Sequence, residues 1–143
     1  MSAESPLQFI DTNVLVYAHD ARAGEKHERS DLLINELWVS RQGHLSVQVL
    51  QELYVTLTQV VPSPLDLEAA SKILKNLSHW RVHVPNPEDV LGAIHLQQRH
   101  RLTFWDAMIL WSANQLECDV VWSEDFNHGQ VYDRVVVKNP FIA

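Results

Sequence analysis

The alternation of short apolar strand-like segments with helical segments constrains this chain more than any other feature. Strands are predicted where β-branched and other apolar residues run between turn residues, at positions 7–10, 44–46, 80–84, 120–123 and 135–137. Most of the chain between them shows the apolar spacing of amphipathic helices. This alternation predicts an α/β fold in which helices cover both faces of a parallel sheet.

Capping residues indicate where several helices begin. Ser46 is the predicted N-cap of a helix that runs to about residue 60, and Thr103 that of a helix that runs to about residue 117. Ser63 and Asp66 fit a capping box for a helix that ends at Leu77. Further helices are predicted at 13–18, 28–38 and 87–100, the last with a proline at its first position.

Length and composition are those of an ordinary globular domain. The chain has 143 residues, 46% of them hydrophobic, and we expect residues 1–143 to form a single domain. Its one cysteine, Cys118, excludes an internal disulfide. The N-terminal segment lacks the basic start and apolar run of a signal peptide, and no apolar run approaches the roughly 20 residues of a membrane span. We therefore expect a cytoplasmic protein with no membrane partner.

The net charge of −7 argues against a protein that simply coats nucleic acid. It leaves room for a nuclease, since a catalytic acidic cluster contributes negative charge that bound metal would offset. Zinc is not expected, because the chain has one cysteine and no His-Glu-x-x-His pattern. His79 and His83 are therefore interpreted as ordinary side chains.

Four acidic residues at strand ends or helix starts are the candidate site: Asp11, Glu52, Asp106 and Asp125. Asp11 and Asp125 follow predicted strands and so belong to the carboxyl edge of the sheet, where such folds bind ligands. Asp106 is the only ionisable residue between 102 and 116. A carboxylate among apolar side chains is costly, and several gathered together repel one another unless a divalent cation binds. The pattern therefore points to a metal-dependent active site.

Each of these acids also has an ordinary structural interpretation. Asp11 fits a turn or an N-cap, and Asp106 fits a capping box with Thr103. Glu52 lies opposite the apolar stripe of its helix and by periodicity alone is a solvated glutamate. Asp125 stands beside Glu124, and either acid could face the site.

Two polar neighbours could support the acids. Asn13 could hold a neighbouring carboxylate by a hydrogen bond or cap the short helix, and the hydroxyl of Ser123 could orient a carboxylate.

At this point the sequence resembles a PIN domain, and in particular a VapC-type toxin ribonuclease. The resemblance spans essentially the whole chain and rests on four segments taken in order. They are DTNVLVY at 11–17, SVQVLQE at 46–52, WDAMI at 105–109, and SEDF at 123–126 with the closing NPF at 139–141. Each segment is weak alone, and the four in this order are specific.

The resemblance implies a three-layer α/β/α fold with strand order 3-2-1-4-5. It implies that Asp11, Glu52, Asp106 and Asp125 gather to bind Mg²⁺ or Mn²⁺ and hydrolyse RNA, with Asn13 and Ser123 in support. The family pattern of a hydroxyl residue, any residue and then an acid selects Asp125 over Glu124. It also implies a homodimer and a small cognate antitoxin that inserts into the groove of the active site.

Two other functions compete with the ribonuclease. A catalytically silent protein of the same fold could bind RNA or protein, although it would have little reason to retain all four acids. A phosphoacceptor receiver domain is also α/β, with acids at its strand ends and Mg²⁺. However, the chain lacks the adjacent acid pair such domains carry after the first strand.

Overall fold

The computed structural model describes residues 6–142 of the chain. Helices separate the first four of the six strands, and the bounds of the strands are β1 Gln8–Ile10, β2 Gly43–Ser46, β3 Arg81–His83, β4 Val120–Trp122, β5 Val131–Tyr132 and β6 Val135–Lys138. The α-helices are α1 Thr12–Ala18, α2 Glu25–Ser40, α3 Val47–Val55, α4 Leu67–Leu77, α5 Pro87–His100 and α6 Phe104–Gln115. A 3₁₀ turn at Ala21–Ala23 precedes α2, and a π-helical turn at Thr56–Val60 continues α3.

The strands form one mostly parallel sheet in the order β3-β2-β1-β4-β6-β5. The α/β fold is confirmed, and so is the order of the five predicted strands, because the predicted strand at 135–137 is β6. The sequence did not predict β5, which pairs antiparallel with β6 and forms one edge of the sheet. A strand of two residues is too short to leave a periodic signal.

The core lies where the sheet meets the helices that cover it. Phe9, Ile10, Leu45, Val121 and Val137 on the strands are fully buried. They belong to one cluster with buried apolar side chains of α1, α2, α3, α5 and α6. Burial on this scale supplies most of the driving force for folding and holds the carboxyl ends of the strands in register.

Several helix boundaries differ from the predicted ones: α2 extends beyond the predicted 28–38 at both ends, and α6 ends two residues before the predicted 117. Helix α4 begins after Asp66, whose side chain accepts a hydrogen bond from the amide of Ala69 at 2.8 Å. Ser63 is not part of that cap, because its hydroxyl accepts from the guanidinium of Arg22 at 2.6 Å. The predicted helix to residue 60 ends as an α-helix at Val55, and its last turn is π-helical.

The predicted caps at Ser46 and Thr103 are confirmed. Across the described part of the chain, no helix is both long and apolar enough to cross a membrane.

Candidate active site

The four acids reach the carboxyl edge of the sheet by different routes. Asp11 follows β1 directly and is the N-cap of α1, and Asp125 lies in the loop after β4. Glu52 lies on α3, which follows β2 without a loop, and Asp106 lies on the first turn of α6. Because β1 lies between β2 and β4, the residues that follow these parallel strands meet at one place.

Asp11 is a buried residue of the candidate site, with only 5% of its surface exposed. Its Oδ1 accepts a hydrogen bond from the backbone amide of Thr12 at 2.7 Å, and its Oδ2 accepts from the hydroxyl of Ser123 at 2.8 Å. Burial raises the pKa of Asp11 to about 7, and the charges of Asp125 and Glu52 push it in the same direction. The two hydrogen bonds lower this pKa but do not offset the burial.

Glu52 is half-buried and tied to the start of α1. The hydroxyl of Thr12 donates to its Oε1 at 2.7 Å. The amide nitrogen of Gln48, one turn earlier on α3, donates to its Oε2 at 3.2 Å and to the backbone carbonyl of Trp105 at 3.1 Å. Helical periodicity alone predicts that Glu52 is a solvated side chain. The contacts instead connect Glu52 to Thr12, next to Asp11, and through Gln48 to Trp105, next to Asp106.

Asp106 lies on the first turn of α6, which Thr103 caps, and it is electrostatically coupled to other acids. Its amide donates to the hydroxyl of Thr103 at 3.2 Å, so the predicted cap is present. Burial raises the pKa of the Asp106 carboxyl, a hydrogen bond with Thr103 opposes this, and the charges of Asp125 and Glu52 raise it further. Asp106 therefore shares an electrostatic environment with residues that are far away in sequence.

The loop after β4 points Asp125 toward the site. The amide nitrogen of Asn13 donates to Oδ2 of Asp125 at 2.9 Å, and the backbone amide of Asp125 donates to the hydroxyl of Ser123 at 3.0 Å. Ser123 thus bonds both Asp11 and the loop that carries Asp125. Asn13 and Ser123 therefore both contact candidate acids, and their supporting role stays a prediction.

Glu124 turns away from Asp125 and is held by two other side chains. The hydroxyl of Tyr17 donates to its Oε1 at 2.5 Å, and the ammonium of Lys26 donates to its Oε2 at 2.8 Å. The same ammonium lies 5.0 Å from the centre of the Tyr17 ring. The charge of Glu124 is therefore balanced within the structure, and Asp125 is the acid available to a ligand.

A groove of about 440 Å³ opens onto two of the four acids, Glu52 and Asp125. Its walls include Thr12, Asn13, Tyr17, Glu52, Thr56 and Asp125. Thr56 belongs to the π-helical turn that follows α3, and such turns are frequent at functional sites.

The donor set suits a hard divalent cation such as Mg²⁺. All four candidate ligands supply carboxylate oxygens, which Mg²⁺ prefers. The charges that act most strongly on the pKa of Asp11 and Asp106 are those of Asp125 and Glu52, and both are negative. In the same range, no three acidic, histidine or cysteine side chains stand close enough together to form a ready-made cluster around an ion. The residues therefore fit a cation in chemistry and charge, with Glu52 and Asp125 turned toward Thr12 and Asn13.

Sequence reasoning missed three residues that shape the site: Thr12, Lys26 and Gln48. One sequence pattern could have identified Gln48. It stands four residues before Glu52, and residues at this spacing lie on the same helix face and interact. The contacts of Tyr17 and Lys26 with Glu124 join residues about a hundred positions apart. No local pattern could reveal them.

Solved structures with the same fold include several toxins of toxin–antitoxin systems. A toxin–antitoxin complex from Klebsiella pneumoniae superposes with a TM-score of 0.68 at 17% identity, covering 94% of this chain and 98% of that one. The VapC20 toxin of Mycobacterium tuberculosis, described as cleaving the sarcin–ricin loop, superposes with a TM-score of 0.64 at 22% identity, covering 89% and 98%. DNA-bound VapBC from Salmonella typhimurium gives 0.62 at 15% identity, covering 95% and 99%.

The sequence itself carries the family signal. No individual curated protein is significantly similar to the chain. The PIN domain matches residues 9–134, which include all four acids. The receiver-domain alternative is therefore wrong, and the strand order agrees, since receiver sheets run 2-1-3-4-5. The chain belongs to the PIN domain family.

Proposed function

We propose that this protein is a Mg²⁺-dependent endoribonuclease and the toxin component of a VapBC-type toxin–antitoxin pair. The convergence of four carboxylates at one edge of the sheet is the observation that carries the proposal. Membership of a family that usually comprises nucleases supports it. Mn²⁺ would serve as an alternative ion, since it accepts the same oxygen ligands.

Asp11 and Asp106 are the proposed primary ligands of the ion, and Glu52 and Asp125 complete the site. When bound, the ion would supply positive charge to the phosphate and lower the pKa of a water molecule, which gives a nucleophile at neutral pH. Cleavage by water would leave a 5′-phosphate and a 3′-hydroxyl. The buried carboxylate of Asp11 would be ionised in this state, because a nearby cation reverses the effect of burial and like charge on its pKa.

The surrounding residues keep the acids in position. Ser123 holds one oxygen of Asp11 and the amide of Asp125, and Asn13 fixes the rotamer of Asp125. Thr12 and Gln48 hold Glu52 at the other wall. These donors leave the carboxylates few conformations, so less entropy is lost when an ion and a phosphodiester bind.

The partners proposed here come from the resemblance and from the structural relatives. Relatives of known structure occur in toxin–antitoxin complexes, and some of these are bound to DNA. We propose a small cognate antitoxin that enters the acidic groove, a homodimer, and a cytoplasmic location, with residues 1–143 acting as one domain. RNA is proposed as substrate because one relative is described as cleaving the sarcin–ricin loop.

A catalytically silent binding protein of the same fold is the second candidate. It is favoured by the side-chain arrangement of the described residues, in which no three acids form a ready-made cluster. In that case the groove would bind RNA or protein without turnover, and loss of any one acid would leave affinity almost unchanged.

Cleavage of labelled structured RNAs by the purified protein separates the two candidates. The reactions contain Mg²⁺, Mn²⁺ or EDTA and are run beside Asp106→Asn, which keeps the size of the side chain. The ribonuclease predicts metal-dependent cutting that Asp106→Asn abolishes. Absence of cutting by folded protein free of antitoxin, under every condition, would favour the silent binding protein.

A further inference from the structure

A second cavity, of about 450 Å³, lies between residues of α3 and residues at the start of α6. Its lining includes Gln48, Gln51, Val84, Val90, Phe104 and Trp105. Two of these residues directly precede candidate ligands in sequence, Gln51 before Glu52 and Trp105 before Asp106. Gln48 lines this cavity and donates to Oε2 of Glu52, so a molecule bound here would lie one side chain away from that proposed ligand.

Gln48 presents a free acceptor at this place. The side chain is 8% exposed, and its nitrogen donates to Glu52 and to the carbonyl of Trp105. Both partners are acceptors, so the nitrogen must face them and the oxygen must point elsewhere. Within the described chain Oε1 of Gln48 accepts no hydrogen bond. This oxygen is not among the buried atoms of the described chain that lack a partner, so solvent reaches it, and the N–H donor of a ligand can take the place of that water.

Trp105 forms an exposed aromatic wall of the same cavity. Its side chain is 62% exposed, which is unusual for a large apolar group on a helix that is otherwise mostly buried. The ring of Phe104 packs edge-on against it at 5.0 Å, and the contact with Gln48 fixes its backbone. An aromatic face that is both held and exposed is the kind of surface on which unpaired bases stack.

The charge of the neighbouring groove makes such a contact necessary. Four carboxylates repel the phosphates of an approaching strand, and the chain as a whole carries a net charge of −7. Affinity for RNA must therefore come from contacts other than a broad basic surface. Apolar walls and neutral amides attract a base without adding charge beside the acids.

We propose that this cavity, defined by Gln48, Gln51, Phe104 and Trp105, is a subsite for one unpaired nucleobase of a single-stranded RNA. The base stacks on Trp105, and an N–H on its edge donates to Oε1 of Gln48. The proposal rests on the ribonuclease function and deepens it, because the base held here decides which phosphodiester lies over the acids.

The test measures binding and cleavage separately. Binding is measured by fluorescence anisotropy with short labelled single-stranded RNAs in an Asp11→Asn background, so that turnover does not consume the probe. Trp105→Ala is compared with Trp105→Phe, which keeps a stacking face, and with Leu32→Ala, which removes an apolar side chain of similar exposure (66%) on α2. Removal of one stacked base should weaken binding about 5- to 150-fold.

A second series replaces one nucleotide at a time with an abasic one. We expect one abasic position to weaken binding to the parent protein and to have little further effect on Trp105→Ala. Trp105→Phe should retain most of the affinity, and Leu32→Ala all of it. The cleavage pattern of Trp105→Ala, made with Asp11 intact, should lose its preference for one base next to the cut.

Three outcomes overturn the inference. Equal affinity and an unchanged cleavage pattern in Trp105→Ala would remove the subsite and leave the ribonuclease intact. A change in the molecular mass of Trp105→Ala by light scattering, with RNA affinity unchanged, would assign the cavity to a contact between two copies of the chain. RNA that is neither bound nor cut by protein with all four acids would remove the proposed function itself.

Discussion

Asp11 and Asp89 are both buried carboxylates, and their surroundings shift their pKa values in opposite directions. Asp11 is 5% and Asp89 is 8% exposed. Burial raises the pKa of Asp11 to about 7, with two hydrogen bonds against it and two acidic neighbours adding to it. Burial would also raise the pKa of Asp89, but hydrogen bonds from Trp111 and the backbone of Asn86, together with His83, hold it below its usual value.

The network around Asp89 satisfies its charge with protein groups. The indole nitrogen of Trp111 donates to Oδ1 at 3.0 Å, and the amide of Asn86 donates to Oδ2 at 2.8 Å. Nε2 of His83 lies 3.4 Å from Oδ2, and Nδ1 of His83 lies 2.8 Å from the hydroxyl of Ser112. These residues lie on β3, α5 and α6 or beside them.

The difference between the two carboxylates separates a structural acid from a candidate ligand. Asp89 has partners on both oxygens and a histidine that can carry a positive charge. Asp11 has donors on both oxygens, but the charges nearest to it are negative. Burial alone therefore does not mark an active-site acid. A buried acid that lacks a positively charged partner is the better candidate for a ligand of a cation.

The largest expected difference is in catalysis. Asp11→Asn should lower RNA cleavage by about 10³-fold or more, because it removes a proposed metal ligand that is worth several kcal/mol in the transition state. Asp89→Asn should leave the cleavage rate of folded protein nearly unchanged. Single-turnover rates at saturating Mg²⁺, normalised to folded protein by circular dichroism, make the comparison. An active, folded Asp11→Asn protein would contradict the assignment.

The second difference is in the pH dependence of stability without metal. The folded protein holds a proton on Asp11 up to about pH 7, whereas the unfolded chain releases it near pH 3.8. The folded state therefore binds more protons between these values, and its stability falls as the pH rises through that window. The difference between the folded-state and unfolded-state pKa of Asp11 corresponds to a loss of roughly 4 kcal/mol in the free energy of unfolding across this window. Urea unfolding in EDTA from pH 4 to pH 8 measures it.

Asp11→Asn is the control for this titration. The asparagine oxygen can accept from the amide of Thr12, and its nitrogen can donate to the hydroxyl of Ser123. The variant should be more stable than the parent at pH 8 and should flatten the slope between pH 4 and pH 7. The same slope in both proteins would show that Asp11 is ionised in the folded state at every pH tested.

Asp89 should matter for stability instead of activity. Asp89→Ala leaves the indole of Trp111 and the amide of Asn86 without their acceptor, so we expect a loss of about 3 kcal/mol in the free energy of unfolding. Its neighbour Glu88 is exposed on the same first turn of α5, and Glu88→Ala should cost less than about 0.5 kcal/mol. Equal losses of free energy of unfolding in Asp89→Ala and Glu88→Ala would mean that the Asp89 network does not stabilise the folded protein.

The smallest expected effect is that of a supporting residue. Ser123→Ala removes the donor to Asp11 and the acceptor for the amide of Asp125. Partners that orient metal ligands are typically worth 10- to 100-fold in metal affinity or activity, and we expect a loss of about that size. The Mg²⁺ concentration at half-maximal cleavage checks it, with Ser112→Ala as the matched variant in the Asp89 network. Equal values for both serine variants would remove the supporting role.

Most of the fold followed from local patterns, and the departures have simple causes. The strands and helix caps at Ser46 and Thr103 came from periodicity and capping, which act within a few residues. Ser63 was mistaken for a cap because its hydroxyl is engaged by Arg22, a contact across 41 positions. The π-helical turn at Thr56–Val60 leaves no separate signal in a continuous helical pattern.

The acids of the candidate site also fall into two groups, those that a local sequence pattern identifies and those that it does not. Asp106 could be picked out because it is a lone ionisable residue in an apolar helix, and Asp11 because it ends a buried strand. Glu52 could not, since its partner Thr12 lies 40 positions away and its other partner, Gln48, is itself bonded to the distant Trp105, and only the resemblance to PIN domains suggested it. The choice of Asp125 over Glu124 also came from that resemblance, and the contacts of Glu124 with Tyr17 and Lys26 supply its physical reason.

Direct titration with Mn²⁺ tests the central claim, that the acids around Asp11 form a cation site. Electron paramagnetic resonance of free Mn²⁺ at pH 7.5 would be measured for the parent protein, Asp11→Asn and Asp89→Asn. We predict binding by the parent, a loss of affinity of about 10-fold or more in Asp11→Asn, and no change in Asp89→Asn. Binding that is equal in the parent and Asp11→Asn, or absent from the folded parent, would contradict the claim.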